Sequence, residues 1–214
     1  MWVYISAICP LAKRQREARP AITVILRGLP LAEPLFQQLQ KLQAEFHGHP
    51  PVDRWNPDLC GDMDMVIKSD GRWIHEGTEI RRQPLVKLFA SILKREGDEY
   101  FLVTPAEKLR ITVEDAPFVV TQVARNSGDA LQQLLFTTNV GDVVELKDSS
   151  QWRLRDFGAP PQPVPYLEVR GGLQARISRD VFYQLVEWAL EENGHKEKLF
   201  VHSDGKEFLL GSCN

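Results

Sequence analysis

Residues 80–97, IRRQPLVKLFASILKREG, align without a gap with residues 177–194, ISRDVFYQLVEWALEENG. In both segments apolar residues recur at helical spacing, an arginine stands near the start and a glycine ends the segment. Equivalent positions are 97 residues apart. Shared amphipathicity does not by itself align an arginine and a terminal glycine, so the match predicts a duplication. The alternative is two hairpin–helix units shaped alike by the same physics.

A glycine turn precedes each segment, and a strand pattern follows each. The turns are Ser69-Asp70-Gly71 and Gly171-Gly172, where glycine tolerates the positive φ of tight hairpins. Leu88 and Leu185 are aligned and should be buried equivalents, and Gly97 is expected to cap the first helix. The predicted fold class is α+β, with two lobes of mostly antiparallel sheet, each containing one hairpin–helix–strand repeat.

Three parts of the chain are expected. Residues 1–29 form an N-terminal extension, expected to be mobile, whose five basic and one acidic residues do not continue the pattern of the body. Residues 30–113 contain a helix at 32–46 and the first lobe, and residues 114–214 form a second, β-rich lobe. Residues 158–165 are expected to be a loop because they hold four prolines and a glycine.

The composition excludes several classes of protein. Hydrophobic residues make up 43% and charged residues 26%, as in ordinary globular domains. The net charge is −3, and because residues 1–29 carry +4, the remainder carries −7, which disfavours nucleic acid as a partner. Three distant cysteines indicate neither a disulfide framework nor a zinc site, and favour the reducing cytoplasm. No apolar run is long enough to span a bilayer, and the sequence indicates no cofactor and sets no oligomeric state.

Candidate binding residues follow the predicted strands. Asp62 and Asp64 alternate along a strand, so both carboxylates share one face and either bind a divalent cation or simply face solvent. Thr104, Glu107 and Lys108 place a hydroxyl, a carboxylate and an amine in one loop, which is otherwise a charged connection.

Three further features concern anions and metals. Arg170 stands beside a glycine pair that allows a ligand to approach the backbone, or forms part of an ordinary hairpin turn. Arg82 precedes a helix, where backbone amides attract anions. His47 and His49 lack a third ligand nearby and are expected in a solvated loop. The predicted ligand-binding set, with no catalytic or metal residue, is Asp62, Asp64, Trp73, Arg82, Thr104, Glu107, Lys108, Arg170, Gly171 and Gly172.

Five motifs together resemble a family of Gram-negative bacteria, the domain of unknown function family 1285. They are CGDMDMVI at 60–67, LVKLF at 85–89, YFLVTP at 100–105, FTTNVGD at 136–142 and YLEVRGG at 166–172. Residues 75–79 and the first 29 residues depart from the family pattern. The resemblance implies a two-part α+β fold with repeated motifs, and a ligand-binding or signalling role inferred from fold, with no established reaction.

We therefore expect a non-enzymatic cytoplasmic module that binds a small anionic molecule in signalling or regulation. Arg82, Lys108 and Arg170 are its predicted cationic contacts. One alternative is a metal-dependent hydrolase or transferase that uses Asp62, Asp64 or Glu107. Another is a protein–protein adaptor that uses a sheet edge or exposed aromatic side chains.

Overall fold

A computed structural model describes residues 49–127, 131–159, 162–193 and 197–212. The predicted extension at 1–29, the predicted helix at 32–46 and His47 lie outside the described residues. The chain divides into two compact units. Unit 1 comprises the chain through Val66 and His75–Thr112, and unit 2 comprises Ile67–Ile74 and Val113–Asn214.

The first sheet has six strands in the order β3-β2-β1-β6-β5-β4. Its β4–β5 and β5–β6 pairs are antiparallel. One helix, α1, has an apolar stripe that buries Leu85, Leu88 and Phe89. The elements are β1 (Leu59–Ile67), β2 (Trp73–His75), β3 (Thr78–Glu79), α1 (Gln83–Ser91), β4 (Leu93–Glu96), β5 (Glu99–Val103) and β6 (Lys108–Val113).

Helix α1 is shorter than the sequence pattern predicts. It ends at Ser91, whose hydroxyl donates to the carbonyl of Leu88 at 2.7 Å, and β4 begins two residues later. Gly97 is therefore not a helix cap, and that prediction is wrong. With a φ of 62°, Gly97 lies in the two-residue turn that joins β4 to β5, where Glu96 pairs with Glu99.

The second sheet also has six strands, in the order β10-β11-β12-β7-β8-β9. The β12–β7 pair is parallel and the others are antiparallel, so this sheet is mixed. Strands β13 and β14 form a separate antiparallel hairpin. The elements are β7 (Phe118–Ser127), β8 (Gln132–Thr138), β9 (Val143–Glu145), β10 (Trp152–Phe157), β11 (Gln162–Arg170), β12 (Leu173–Ile177), α2 (Arg179–Asn193), β13 (Lys198–Ser203) and β14 (Lys206–Ser212).

Helix α2 and the terminal hairpin complete the core of unit 2. Val181, Leu185 and Ala189, spaced four residues apart, are buried along α2. The Ser203 hydroxyl accepts a hydrogen bond from the backbone amide of Leu134 in β8 at 2.9 Å. The indole of Trp152 donates to the carbonyl of Leu209 in β14 at 2.8 Å, so β10 and the hairpin are joined as well.

The proline-rich stretch is only partly a loop. Strand β11 begins at Gln162, so the prediction of a loop over 158–165 is wrong for its second half. The pairs between β11 and β12 extend only as far as Tyr166 with Arg176, which leaves Pro163 and Pro165 without a β12 neighbour. Proline fits there because it has no amide hydrogen to offer to a neighbouring strand.

The described residues thus form an α+β protein rich in sheet, as predicted. The duplicated hairpin–helix–strand unit is not confirmed. Leu93 begins strand β4, whereas its aligned partner Leu190 lies within α2, so the segments differ in secondary structure after the first two helical turns.

Candidate functional site

A cavity of about 930 Å³ lies in unit 2 where β12 ends and α2 begins. One wall is the stretch of β11 that β12 does not cover, including Pro163 and Pro165. We call it the β11–α2 cavity. Its wall also includes Ser69, Asp70, Phe157, Arg176, Arg179 and Tyr183.

Aromatic side chains at the cavity are unusually open to solvent. Phe157 is 41% exposed and Tyr183 is 62% exposed, and both contribute to the wall. Phe182 also contributes, and its ring centroid is 6.2 Å from that of Tyr183. Exposed apolar surface grouped at a concave site is typical of a place where another molecule binds.

Arg176 is held in the wall by an acidic centre behind it. Its Nη1 lies 3.4 Å from Oδ2 of Asp115, and Nη1 of Arg155 lies 3.5 Å from Oδ1 of the same carboxylate. The Tyr166 hydroxyl donates to both Asp115 oxygens at 2.7 Å. Burial, and then the hydrogen bond to Asp115, raise the pKa of Tyr166, so this hydroxyl keeps its proton and remains a donor.

The guanidinium groups of this cluster also rest on aromatic rings. The Arg155 guanidinium carbon lies 4.2 Å from the centroid of Tyr166, and that of Arg176 lies 5.5 Å from the centroid of Phe157. Such stacking fixes the plane of a guanidinium without consuming its hydrogen-bond donors. The Arg176 fork is therefore positioned by Phe157 and Asp115 and still has N–H groups for a ligand.

The charges around the cavity are unequal. Arg155 and Arg176 share the single carboxylate of Asp115, which leaves one positive charge unmatched in that cluster. The Asp70 carboxylate accepts from Nε of Arg72 at 2.7 Å, so that pair is balanced. A backbone hydrogen bond from Arg72 is the main reason that the pKa of Asp70 is lowered. Arg179 is exposed and adds a further cation at the rim.

The acidic pair predicted on β1 is solvent-exposed. The Asp62 side chain is 75% exposed and its Oδ1 lies 3.5 Å from Nε of Arg110. Asp64 is exposed as well, and its backbone carbonyl accepts a hydrogen bond from Nδ1 of His75 at 2.8 Å. Within the described ranges, no group of three or more His, Cys, Asp or Glu residues is placed to hold a metal ion.

Of the predicted loop residues, Thr104 and Glu107 lie in the turn between β5 and β6, whereas Lys108 is the first residue of β6, so its prediction as a loop residue is wrong. The Thr104 hydroxyl accepts from the amides of Ala106 and Glu107 at 3.3 and 3.0 Å, so its role there is to order the turn. Lys108 pairs with the Glu96 carboxylate, and its Nζ lies 4.3 Å from the centre of the Phe101 ring. This pairing is the main reason that the pKa of Glu96 is lowered.

The remaining predicted residues are divided between the units. Arg82 is exposed and immediately precedes α1 in unit 1. Arg170, in unit 2, pairs with Asp142, and its guanidinium carbon lies 5.1 Å from the ring centre of Phe118. Gly171 and Gly172 form the β11–β12 turn, and Trp73 is buried. None of the ten predicted residues is in the described wall of the β11–α2 cavity.

Sequence reasoning missed the cavity because its residues belong to separate segments. Asp70 comes from the β1–β2 turn, Phe157 from β10 and Arg176 from β12. One signal was present in the sequence. Tyr183 lies between Val181 and Leu185, off the apolar stripe of α2, and an aromatic ring on the polar face of a helix indicates a contact beyond the core.

The fold and this site together define a class: an α+β protein with two sheet-based units and a cation-lined cavity in the second. Residues 50–116 match the N-terminal domain of DUF1285, described as a domain of unknown function. Residues 117–210 match its C-terminal domain, described as a protein of unknown function. The chain belongs to the DUF1285 family.

Two solved structures are similar to this chain. One is a DUF1285 family protein from Silicibacter pomeroyi DSS-3, with 40% identity, a TM-score of 0.71, and coverage of 82% of this chain and 94% of that one. The other is a DUF1285 family protein from Shewanella baltica OS155, with 34% identity, a TM-score of 0.49, and coverage of 58% and 91%. No curated protein matches the chain. Among the described residues, no helix is long and apolar enough to cross a membrane.

Proposed function

We propose that the protein is a cytoplasmic, non-enzymatic binding module that takes up a small organic anion in the β11–α2 cavity, with a signalling or regulatory role. The observation that carries the proposal is Arg176, a cation in the cavity wall that is only partly neutralised by Asp115. The volume of about 930 Å³ falls within the range of small-molecule sites.

An anion is the ligand that this wall favours. Arginine presents a planar fork of donors that matches a carboxylate or phosphate in two parallel hydrogen bonds. The Asp115 oxygens are 3.4 and 3.5 Å from Arg176 and Arg155, longer than a strong charge-assisted hydrogen bond. Arg155 also donates to the side-chain oxygen of Gln174, so Arg176 is the arginine that keeps donors for a ligand in the wall. Ser69 and Ser178 also line the cavity, and a serine hydroxyl can donate a hydrogen bond to an anion.

The experiment is native mass spectrometry of the purified full chain, followed by identification of any small molecule that dissociates from it. We expect a bound organic anion whose affinity falls by at least about tenfold in Arg176→Gln, equivalent to about 1.4 kcal/mol. Arg153→Gln is the matched control, because Arg153 is an exposed arginine on β10 that is not part of the cavity wall.

Equal loss of affinity in both variants would show that the arginine acts only through the overall charge. Retention of the ligand in Arg176→Gln would refute the site. Unfolding by denaturant, measured in parallel, separates lost binding from lost stability, since Arg176→Gln also removes the contact with Asp115.

Lys108 and Arg170 stay in the proposed ligand-binding set predicted from the sequence. Each is already paired with a carboxylate, Glu96 or Asp142, which supports a stabilising role beside any binding role. If Lys108 or Arg170 binds an anion of its own, Lys108→Ala or Arg170→Ala should weaken that anion by about tenfold and leave the ligand of the β11–α2 cavity unaffected, because neither residue is in the cavity wall. If they only stabilise the fold, the free energy of unfolding should fall and the affinity should stay the same.

A further inference from the structure

We infer that the ligand of the β11–α2 cavity combines a flat aromatic ring with a single negative charge, as an aromatic monocarboxylate does. The inference rests on the proposed function and adds the chemical class of the ligand. Two independent features of the cavity carry it: its aromatic wall and its local charge.

The side chains of the cavity wall indicate that the ligand contains an aromatic ring. Phe157 and Tyr183 keep 41% and 62% of their surface open to solvent, although both are large and largely apolar. Pro163 and Pro165 add rigid apolar rings to the same wall. Aromatic rings prefer offset or edge-to-face contact with other rings, and such contact adds to the affinity gained from the buried area. A planar ring therefore uses this wall better than a puckered one of equal size.

The single charge is indicated by the balance around Arg176. Arg155 and Arg176 face one carboxylate, Asp115, while the Tyr166 hydroxyl is neutral, so the cluster lacks one negative charge. Arg179 is exposed at the rim, where water screens its charge. A dianion would bring one negative charge more than the cluster lacks, and a surplus negative charge near the Asp115 carboxylate is unfavourable. A ligand with one carboxylate supplies the negative charge that the cluster lacks.

The test is an NMR titration of the isotope-labelled full chain with four probes: benzoate, cyclohexanecarboxylate, phenyl phosphate and benzyl alcohol. Benzoate should shift the resonances of cavity residues and bind about fivefold more tightly than cyclohexanecarboxylate, as ring contact predicts. It should bind at least about tenfold more tightly than neutral benzyl alcohol. Phenyl phosphate should bind no more tightly than benzoate.

Variants assign the ring preference to the wall. Tyr183→Leu keeps an apolar side chain but removes the flat face, so it should lower the preference for benzoate and leave the affinity for cyclohexanecarboxylate nearly unchanged. Phe157→Leu should lower the same preference and also weaken both carboxylates, because the Phe157 ring helps to position Arg176. Val143→Ala is the control, because Val143 is 63% exposed and is not part of the cavity wall.

Each of the other outcomes refutes one part of the inference about the ligand. Equal binding of benzoate and cyclohexanecarboxylate would refute the preference for an aromatic ring. Tighter binding of phenyl phosphate than of benzoate would refute the preference for a single negative charge. Neither result would refute the proposed function. Absence of cavity shifts with benzoate up to about 10 mM, well above a weak millimolar affinity, overturns the inference. The proposed function is refuted by a different result, namely a co-purified ligand that the Arg176→Gln variant still binds.

Discussion

Tyr166 is fully buried, yet it carries a hydroxyl that has to find a partner. That partner is Asp115, whose side chain is only 12% exposed and is surrounded by three donors: the Tyr166 hydroxyl and the guanidinium groups of Arg155 and Arg176. A carboxylate in such a place is stable because each oxygen is bonded, and it in turn positions Arg176 at the cavity.

Tyr166→Phe should lower the free energy of unfolding by about 1–3 kcal/mol, because it removes a hydrogen bond to a charged acceptor and leaves the ring in place. Chemical denaturation of the full chain measures this. Tyr183→Phe is the matched control: Tyr183 is 62% exposed, and its variant should change stability by less than about 0.5 kcal/mol. Equal effects of the two substitutions would show that Asp115 gains nothing from the Tyr166 hydroxyl.

At the scale of elements, helix existence was predictable and helix length was not. The apolar stripes that bury Leu88 and Leu185 follow helical spacing, and both residues are buried as predicted. The end of α1 depends on which hydrogen bonds residues 92–96 make. Residues such as Lys94 and Arg95 suit a helix end, but β4 pairs with β5, and that tertiary pairing overrides local preference.

Leu88→Ala and Leu185→Ala should each cost about 2–5 kcal/mol, since both remove a buried side chain and leave a cavity. Leu88 is 3% exposed and Leu185 is 0% exposed. Lys87→Ala and Glu187→Ala, at exposed positions on the same helices, should cost less than about 0.5 kcal/mol. Denaturant unfolding of the four variants compares them directly. Small effects at either leucine would mean that its helix packs less tightly than its burial indicates.

His202 joins α2 to the β13–β14 hairpin. Its Nδ1 lies 2.9 Å from Oε2 of Glu192 on α2, and its Nε2 lies 3.3 Å from Oε1 of Glu207 on β14. The hydrogen bond with Glu192 is the main cause of a raised pKa, burial opposes it, and Glu207 adds to it. Other groups also contact this cluster: Arg125 lies 3.5 Å from Glu192, and the amide of Gln132 donates to the His202 carbonyl at 3.1 Å.

The pKa of His202 is higher in the folded protein than in the unfolded chain, so its contribution to stability is fully present below about pH 6.5 and is lost as pH rises through the folded value. The difference in free energy of unfolding between the wild type and His202→Gln should be largest near pH 5.5 and shrink towards about pH 8.5. Denaturation at both pH values measures it. Glu207→Gln, which removes only the longer contact, should reduce this pH dependence in part; a difference that grows with pH would contradict the assignment.

At the scale of the whole molecule, the sequence order of the elements did not show which segments fold together. The boundary predicted between residues 113 and 114 comes from pattern alone and stays a prediction, whereas unit 2 also includes Ile67–Ile74. Glu114 accepts from Nζ of Lys68 at 2.6 Å and from the amide of Ser69 at 3.1 Å. Such contacts between segments more than 40 residues apart have no local sequence pattern, and the same reason hid the β11–α2 cavity.

At the turn containing Gly71, the Ile67–Ile74 segment packs closely against the rest of unit 2. The Asn139 side chain donates to the Gly71 carbonyl at 3.2 Å and accepts from the Val119 amide at 3.1 Å, so it is held on both sides. A Cβ added at Gly71 would lie 2.7 Å from Nδ2 of Asn139 and 3.1 Å from Cγ2 of Val119. Gly71 also has a φ of +86°, which favours glycine.

Gly71→Ala should therefore destabilise the protein in two ways, through backbone strain and through a clash of the new Cβ with Asn139 and Val119. Gly77→Ala measures the backbone strain alone. Gly77 has a similar φ of +73°, and an added Cβ there meets no atom within 4 Å, so its variant should cost only the backbone strain of about 1–2 kcal/mol. Gly71→Ala should exceed it by at least about 1 kcal/mol from overpacking. Introducing Asn139→Ala should shrink that excess, because the nearest clashing atom is then gone, and a double-mutant cycle by denaturant unfolding measures the coupling. Equal costs at Gly71 and Gly77, with no coupling to Asn139, would show that the Ile67–Ile74 segment is not packed on Asn139 as described.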